Sequence, residues 1–253
     1  MRVSLGSDST VPVEDTRGLS LLFHLNSEPW LDDAAYDLAS DNLPLVDPGD
    51  RPVIDLPADA DSALRSLQRA RRSCRSYAAQ PIPLTTLAAL LAGTQGMTGE
   101  SGAPFPRRAT PSAGGLFPLE LHVYTRRVTG VPDGLHRYDP LSHALIELDH
   151  ADVSGRLAEA LYAYPFIVDA NVVFVLVARF PRTQDKYGPR GYRYILLEAG
   201  HCAQNLVLRA TELGLGSLCI GGFADTVLNA QLGLDPTTAG AVYLVAAGFP
   251  ATP

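Results

Sequence analysis

Lysine is almost absent from this chain: Lys186 stands alone against nineteen arginines. Arginine supplies a fixed positive charge as well as lysine does, but guanidinium cannot give up its proton near neutral pH. A lysine kept against that bias is a candidate for proton transfer rather than for charge alone. Cysteine is scarce as well. Cys74, Cys202 and Cys219 are odd in number, far apart and form no C-x-x-C pair, which argues against a disulfide framework or zinc site and fits a reducing cytoplasmic compartment. No apolar run approaches the roughly 18–20 residues needed to cross a bilayer, and residues 1–10 lack the layout of a secretion signal, so no membrane partner is expected. Excess positive charge is missing too: a net charge of −7 argues against a nucleic-acid partner. Neither G-x-G-x-x-G nor G-x-x-x-x-G-K-[ST] occurs, which weighs against nicotinamide and nucleoside-triphosphate folds. His24, His122, His136, His143 and His150 are scattered without metal spacing. Glu198 and His201 make half of a di-metal carboxylate pattern whose other half is missing, so no metal site is expected.

What is present suits one large domain with an arm. Of 253 residues, 46% are hydrophobic and 19% charged, an ordinary globular balance. The acids are concentrated at the front. Residues 1–61 hold thirteen Asp/Glu against three Arg, a net −10, while the remainder carries +3. Pro29, Pro44, Pro48, Pro52 and Pro57 interrupt this stretch, which reads as an extended acidic arm over a body starting at Ser62; a docking surface for a partner is the alternative. In the body, Asp61 or Ser62 can cap a short helix, and Thr85 or Thr86 can start another that ends at Gly93. Residues 119–124 alternate as a strand, and 135–138 with 144–148 form a hairpin around Asp139-Pro140. Residues 171–178 read as a doubly covered central strand, 192–213 as the longest helix, and 241–248 as a final buried strand. Helices and strands alternate without a βαβ rhythm, so the expected class is α+β.

Four segments could carry chemistry. Arg71, Arg72, Ser73 and Arg75 put three cations and a hydroxyl within five residues, either a bidentate phosphate clamp or a solvated basic helix end. Pro111, Ser112, Ala113 and Gly114 open a run of small residues that lets backbone approach a flat ligand, or simply a surface turn. Residues 218–223 run from an apolar strand into Gly221 and Gly222. The fourth contains Lys186 and Tyr187, read as a loop before the long helix. Arg190 and Arg193 follow within one turn, and neighbouring cations with partial burial favour the neutral amine that a base requires.

Taken in order, these pieces resemble the nitroreductase superfamily, and within it the SagB-type azoline dehydrogenases (thiazole/oxazole-forming oxidases). The resemblance runs from about Ser62 to Pro250. It rests on Arg-Arg-Ser-Cys-Arg, Pro-Ser-Ala-Gly-Gly, the helix Glu198-Ala199-Gly200-His201 through Leu206 with Gly214-Leu215-Gly216, and Gly248. His24 and Ser27 match a short motif common ahead of such domains, and Lys186-Tyr187-Gly188 with Arg190 and Tyr192 points to the azoline branch. The resemblance implies a nitroreductase-like flavin fold, with a mixed central sheet flanked by helices in an intertwined homodimer. FMN would lie at the subunit interface. Arg71, Arg72, Ser73 and Arg75 would hold its phosphate and ribityl chain, Pro111 to Gly114 would line the isoalloxazine, and Gly221-Gly222 would present backbone near its reactive edge. Many relatives continue into a basic tail, whereas this sequence stops shortly after Gly248-Phe249-Pro250, placing more weight on the arginine cluster. With no peptide-binding domain ahead of it, leader recognition would fall to a partner, such as a cyclodehydratase. The implied reaction is two-electron oxidation of thiazoline or oxazoline rings on a peptide or carrier-bound substrate, with Lys186 or Tyr187 as base and oxygen regenerating the flavin. The alternatives are a general NAD(P)H-dependent nitro- or quinone reductase and a non-catalytic scaffold subunit.

Overall fold

The computed structural model describes residues 17–27, 48–49, 51–99, 107–150 and 153–251. Most of the acidic segment thus lies outside the described residues. Its first described part is α1 (Arg17–Leu25), a helix where the sequence suggested extended chain. Further on, α2 (Ala63–Ala70) is capped by Ser62, whose hydroxyl accepts from the Arg65 amide at 3.1 Å. The short β1 (Ile82–Pro83) leads straight into α3 (Leu84–Gln95). This helix does not stop at Gly93. A Cβ there would sit 3.3 Å from Arg209 Cγ, so the glycine marks close helix packing rather than a terminus.

The remaining strands are β2 (Leu119–Thr125), β3 (Val128–Thr129), β4 (Gly134–Asp139), β5 (Ala144–Asp149), β6 (Val172–Arg179), β7 (Gly216–Ile220) and β8 (Ala239–Gly248). The main sheet has the order β5-β4-β2-β6-β8-β7, with every pairing antiparallel. Parallel pairing enters through β1–β3 and a single Ser73–Ser217 bridge on β7. The class is α+β, as the sequence implied.

Strand β6 explains the layering. Its even-numbered residues Val172, Phe174, Leu176 and Ala178 join one core with α3 and α6 (Arg190–Glu212). Its odd-numbered residues Val173, Val175 and Val177 join a second core with α4 (Val153–Ala160) and α7 (Asp225–Gln231). Successive side chains of a strand point to opposite faces, so an unbroken β-branched run is what a strand covered on both sides requires.

After β6 the chain enters α5 (Phe180–Tyr187), with Pro181 in its first turn. Gly188 ends it at φ +57°, and Pro189 leads into α6. Helices α5 and α6 meet nearly backbone to backbone: a Cβ on Gly191 would lie 2.9 Å from Gln184 Cα, Gln184 N and Thr183 C. Helix α1 docks on the same pair. His24 Nδ1 and Tyr192 Oη are 3.1 Å apart, and Gln184 Nε2 donates to Ser20 Oγ at 2.7 Å. Burial lowers the His24 pKa, favouring the neutral ring in this packing.

Because backbone cannot retreat as a flexible side chain can, Gly191→Ala is expected to destabilise the fold by about 1–3 kcal/mol, the usual cost of overpacking. Chemical denaturation would measure this, and an unchanged midpoint would show that the α5–α6 junction tolerates a methyl group.

Candidate functional site

Lys186 and Tyr187 are not on a loop. They occupy the last turn of α5, where Gly188 rather than Tyr187 breaks the helix. Lys186 is exposed rather than partly buried, and Tyr187 is half-buried. The Tyr187 ring packs edge-to-face on Tyr194, with centroids 5.1 Å apart, and Lys186 Nζ lies 5.3 Å from the Tyr187 ring centre. Both polar ends converge on Gly114. A Cβ there would lie 2.6 Å from Tyr187 Oη and 2.9 Å from Lys186 Nζ, so any side chain at 114 would displace them. Two segments more than seventy positions apart in the sequence are brought together at this point.

The turn that presents Gly114 is held in an unusual shape. A 3-10 segment, Ala113–Gly115, places Gly114 and Gly115 at φ +62° and +66°, and Phe117 follows at φ +46°. Positive φ is costly for a bulky residue and persists only where neighbours over-determine it. The Phe117 amide donates to Ser112 Oγ at 2.8 Å, Arg182 Nη1 donates to the Phe117 carbonyl at 3.4 Å, and Arg108 lies 4.6 Å over the Phe117 ring. Ser112 Oγ in turn donates to the Glu198 carboxyl at 2.5 Å. Glu198 projects from α6 on the stripe it shares with Ile195 and Cys202, is 2% exposed, and among the described residues keeps Oε1 without a hydrogen-bond partner. Burial pushes its carboxyl up to about 7, against the opposing pull of the Ser112 hydrogen bond and the Arg108 charge. His201, three residues on, is exposed, so the two do not share one environment. The sequence reading missed this role for Glu198, although an acid on an apolar helical stripe was a readable signal.

The other two segments form a second group. Ser73 bridges Ser217, the Cys74 amide donates to the Ser217 carbonyl at 2.9 Å, and the Ala78 amide donates to the Phe249 carbonyl at 2.8 Å. Residues 73–78 therefore run beside β7 and the end of β8. Arg71 is close enough to influence Cys219 electrostatically, two residues before Gly221. Arg72 donates to the backbone carbonyls of Arg69 and Arg71. Arg71, Arg72 and Arg75 make no ion pair among the described residues and place three cations around Ser73. Such a donor set fits a phosphate.

Within one chain the arginine cluster and the Ser112 turn are far apart. Ser112 is tied to α6 at Glu198, whereas β7 starts just after the helix end, with the Leu215 amide bonded to the Ala210 carbonyl. The intervening helix, from 198 to 212, spans roughly 20 Å at 1.5 Å per residue. Arg71, Arg72, Ser73 and Arg75 lie at the start of β7, whereas Gly221 and Gly222 follow its far end, where the strand has run back alongside β8 to the level of Leu244; Gly114 lies beside Lys186 and Tyr187. No described helix is long and apolar enough to cross a membrane, and no described group of His, Cys, Asp and Glu could hold a metal ion.

Comparison with known proteins adds to this geometry. The sequence pattern of the Nitroreductase family matches residues 69–249. Over 181 residues the chain is 38% identical to MJ1384 of Methanocaldococcus jannaschii, a protein with a nitroreductase name, covering 72% of this chain and 89% of that one. It is 30% identical over 145 residues to the microcin B17-processing protein McbC of Escherichia coli, covering 52% of this chain and 50% of McbC. In three dimensions it is similar to a chain of the E. coli microcin synthetase McbBCD complex with truncated pro-MccB17 bound, at TM-score 0.76 and 20% identity over 94% of both chains. A nitroreductase-named protein of Desulfovibrio desulfuricans in complex with FMN gives TM-score 0.53 at 20% identity, over 76% of this chain and 89% of that one. At these identities the structural likenesses concern the fold.

The buried carboxyl of Glu198 predicts a pH signature. Between the ordinary carboxyl value of 4.5 and about 7, the folded state keeps a proton that the unfolded state has released, so stability falls as pH rises across that window. The expected loss is about 3 kcal/mol, at 1.36 kcal/mol per unit. Glu198→Gln should remove this component. Denaturation curves of the two proteins at pH 5 and pH 8 would measure it, and parallel pH profiles would refute the assignment.

Proposed function

Because the chain belongs to the nitroreductase family, we propose that it is an FMN-dependent oxidoreductase that dehydrogenates thiazoline or oxazoline rings in a peptide substrate. The observation that carries this reading is the convergence of Lys186 Nζ and Tyr187 Oη on Gly114. It sets a potential base against the turn that would line a flat cofactor. The likeness to McbC, named for microcin B17 processing, supports a role in peptide maturation. The full length of MJ1384 is matched better, and its name favours the general reductase as the second reading. Rapid NADPH bleaching of the bound flavin would separate the two.

The residues fit FMN. Arg71, Arg72, Ser73 and Arg75 would hold the phosphate and ribityl chain. Pro111, Ser112, Ala113 and Gly114 would face the isoalloxazine, and Gly221 and Gly222 would offer backbone beside it. The arginine cluster and the Ser112 turn stand about 20 Å apart along α6, which supports a homodimer in which each chain contributes one of them. Leu196 and Leu197, exposed on α6 at 37% and 55%, supply an apolar face for that contact. Aromatisation removes a proton from one ring carbon and a hydride from its neighbour. FMN, when bound, supplies acceptance of the hydride. Lys186 takes the proton at Nζ, and its exposure lets it pass the proton to solvent. Tyr187 holds the position of Nζ through the shared approach to Gly114. A cyclodehydratase is the proposed partner.

Lys186→Arg keeps the charge but removes the base. It is expected to retain fold and FMN while losing about a hundred- to ten-thousand-fold in azoline oxidation, read as a two-hydrogen mass loss from an azoline peptide. Near wild-type turnover would sink the mechanism. Arg71→Ala combined with Arg75→Ala should release flavin, since each charge-assisted hydrogen bond contributes roughly 1.5–3 kcal/mol. Full FMN retention would place the phosphate elsewhere.

A further inference from the structure

A cavity of about 340 Å³ opens beside the candidate site, lined by Arg108, Arg137 and Arg182 together with Leu121, Tyr138 and Ile146. Its charges are not balanced from within. Glu120 also lines it, but one carboxylate oxygen accepts from Arg179 Nε and Nη2 at 3.0 and 2.9 Å, and the other accepts from Arg182 at 2.7 Å. Asp139 is occupied by its own turn, accepting from the Leu141 amide at 3.1 Å and from the Ser142 hydroxyl. Arg108 donates to Gln95, a neutral partner, at 2.9 Å, and its buried Nε has no hydrogen-bond partner among the described residues. The Arg137 side chain makes no hydrogen bond or ion pair within 4 Å among the described residues, although its charge reaches Asp139. Glu198 also acts on Arg108, but its carboxyl is pushed up to about 7 and is only partly ionised at neutral pH. Among the described residues, two guanidiniums thus face a space with mixed polar and apolar walls without a carboxylate bonded to either, an arrangement that suits an anionic ligand.

The position of the cavity says what that ligand belongs to. Arg182 and Lys186 are four residues apart on α5, hence on one helix face about 6 Å apart along the axis. Arg108 covers the Phe117 ring, at the end of the turn that carries Gly114. The cavity and the candidate base are therefore neighbouring parts of one surface.

We propose that this cavity is a subsite for a carboxylate on the substrate, one to three residues from the ring that Lys186 deprotonates. The proposal rests on the azoline reading for the identity of that ring, and it names the substrate class as peptides bearing an acidic group close to the azoline. An acidic side chain and a free C-terminus supply the same chemistry.

The test uses the purified full chain and fluorescently labelled thiazole peptides. One set carries Glu or Gln two residues from the ring, and another ends as a free acid or an amide. Anisotropy titration is expected to show one carboxylate form binding on the order of ten- to a hundredfold more tightly than its neutral counterpart, and the pair that differs identifies the source of the carboxylate. Arg137→Gln should bring that ratio close to one. Equal affinities throughout, or a preference untouched by both Arg137→Gln and Arg108→Gln, would overturn the subsite. The matching thiazoline peptides then separate this from the reaction itself. Selective binding without two-hydrogen loss would sink the azoline reading and leave the subsite. Oxidation of every peptide with equal affinities would do the reverse.

Discussion

The missing side chain at Gly114 is the constraint on which the site depends. Tyr187 and Lys186 occupy the space that a Cβ would fill, and the backbone there takes a left-handed conformation that glycine adopts at little cost. The strain appears three residues later, at Phe117. Ser112, Arg108 and Arg182 hold that residue from three directions. The turn is thereby fixed to α6 through Glu198 and to α5 through Arg182. Two helices and a loop are locked by contacts that converge on one phenylalanine and one glycine.

Arginine abundance has a structural use at the same junction. Glu120 on β2 receives Arg179 from the end of β6 and Arg182 from α5. Burial alone would raise its carboxyl, but His122, Arg179 and Arg182 pull it down to about 2. The fork of Arg179 presents two donors to one oxygen, which a lysine cannot reproduce with the same geometry. The ion-paired corner orients the helix that ends in the one lysine.

The layered core was legible because burial leaves a periodic trace. The apolar run of β6, the long stripe of α6 and the alternation of β2 all lie where their patterns place them. Departures arise where tertiary contact overrides local punctuation. Gly93 reads as a helix stop but serves contact with Arg209. Gly188-Pro189 reads as a loop signal, yet a complete short helix fits before it. Helix α1 is hidden in acidic, proline-rich surroundings. In the site, the four chemical segments were visible as motifs, but their division into two groups was not, since it depends on the direction of α6 and the pairing of residue 73 with β7. The arginine cavity had no local signature at all: its members come from a loop, a strand and a helix.

Helix α1 sits at a mechanical advantage. Its bonds reach Gln184 and Tyr192, one on each of the two helices that meet at Gly191, and Gln184 lies only two positions before Lys186. Docking of this helix and the placing of the lysine therefore share one support, the helix α5. A stretch of chain that contributes no atom to the Lys186–Gly114 contact thus braces the helix that makes it, and the footing of α5 belongs to the N-terminal segment as much as to the domain that bears it.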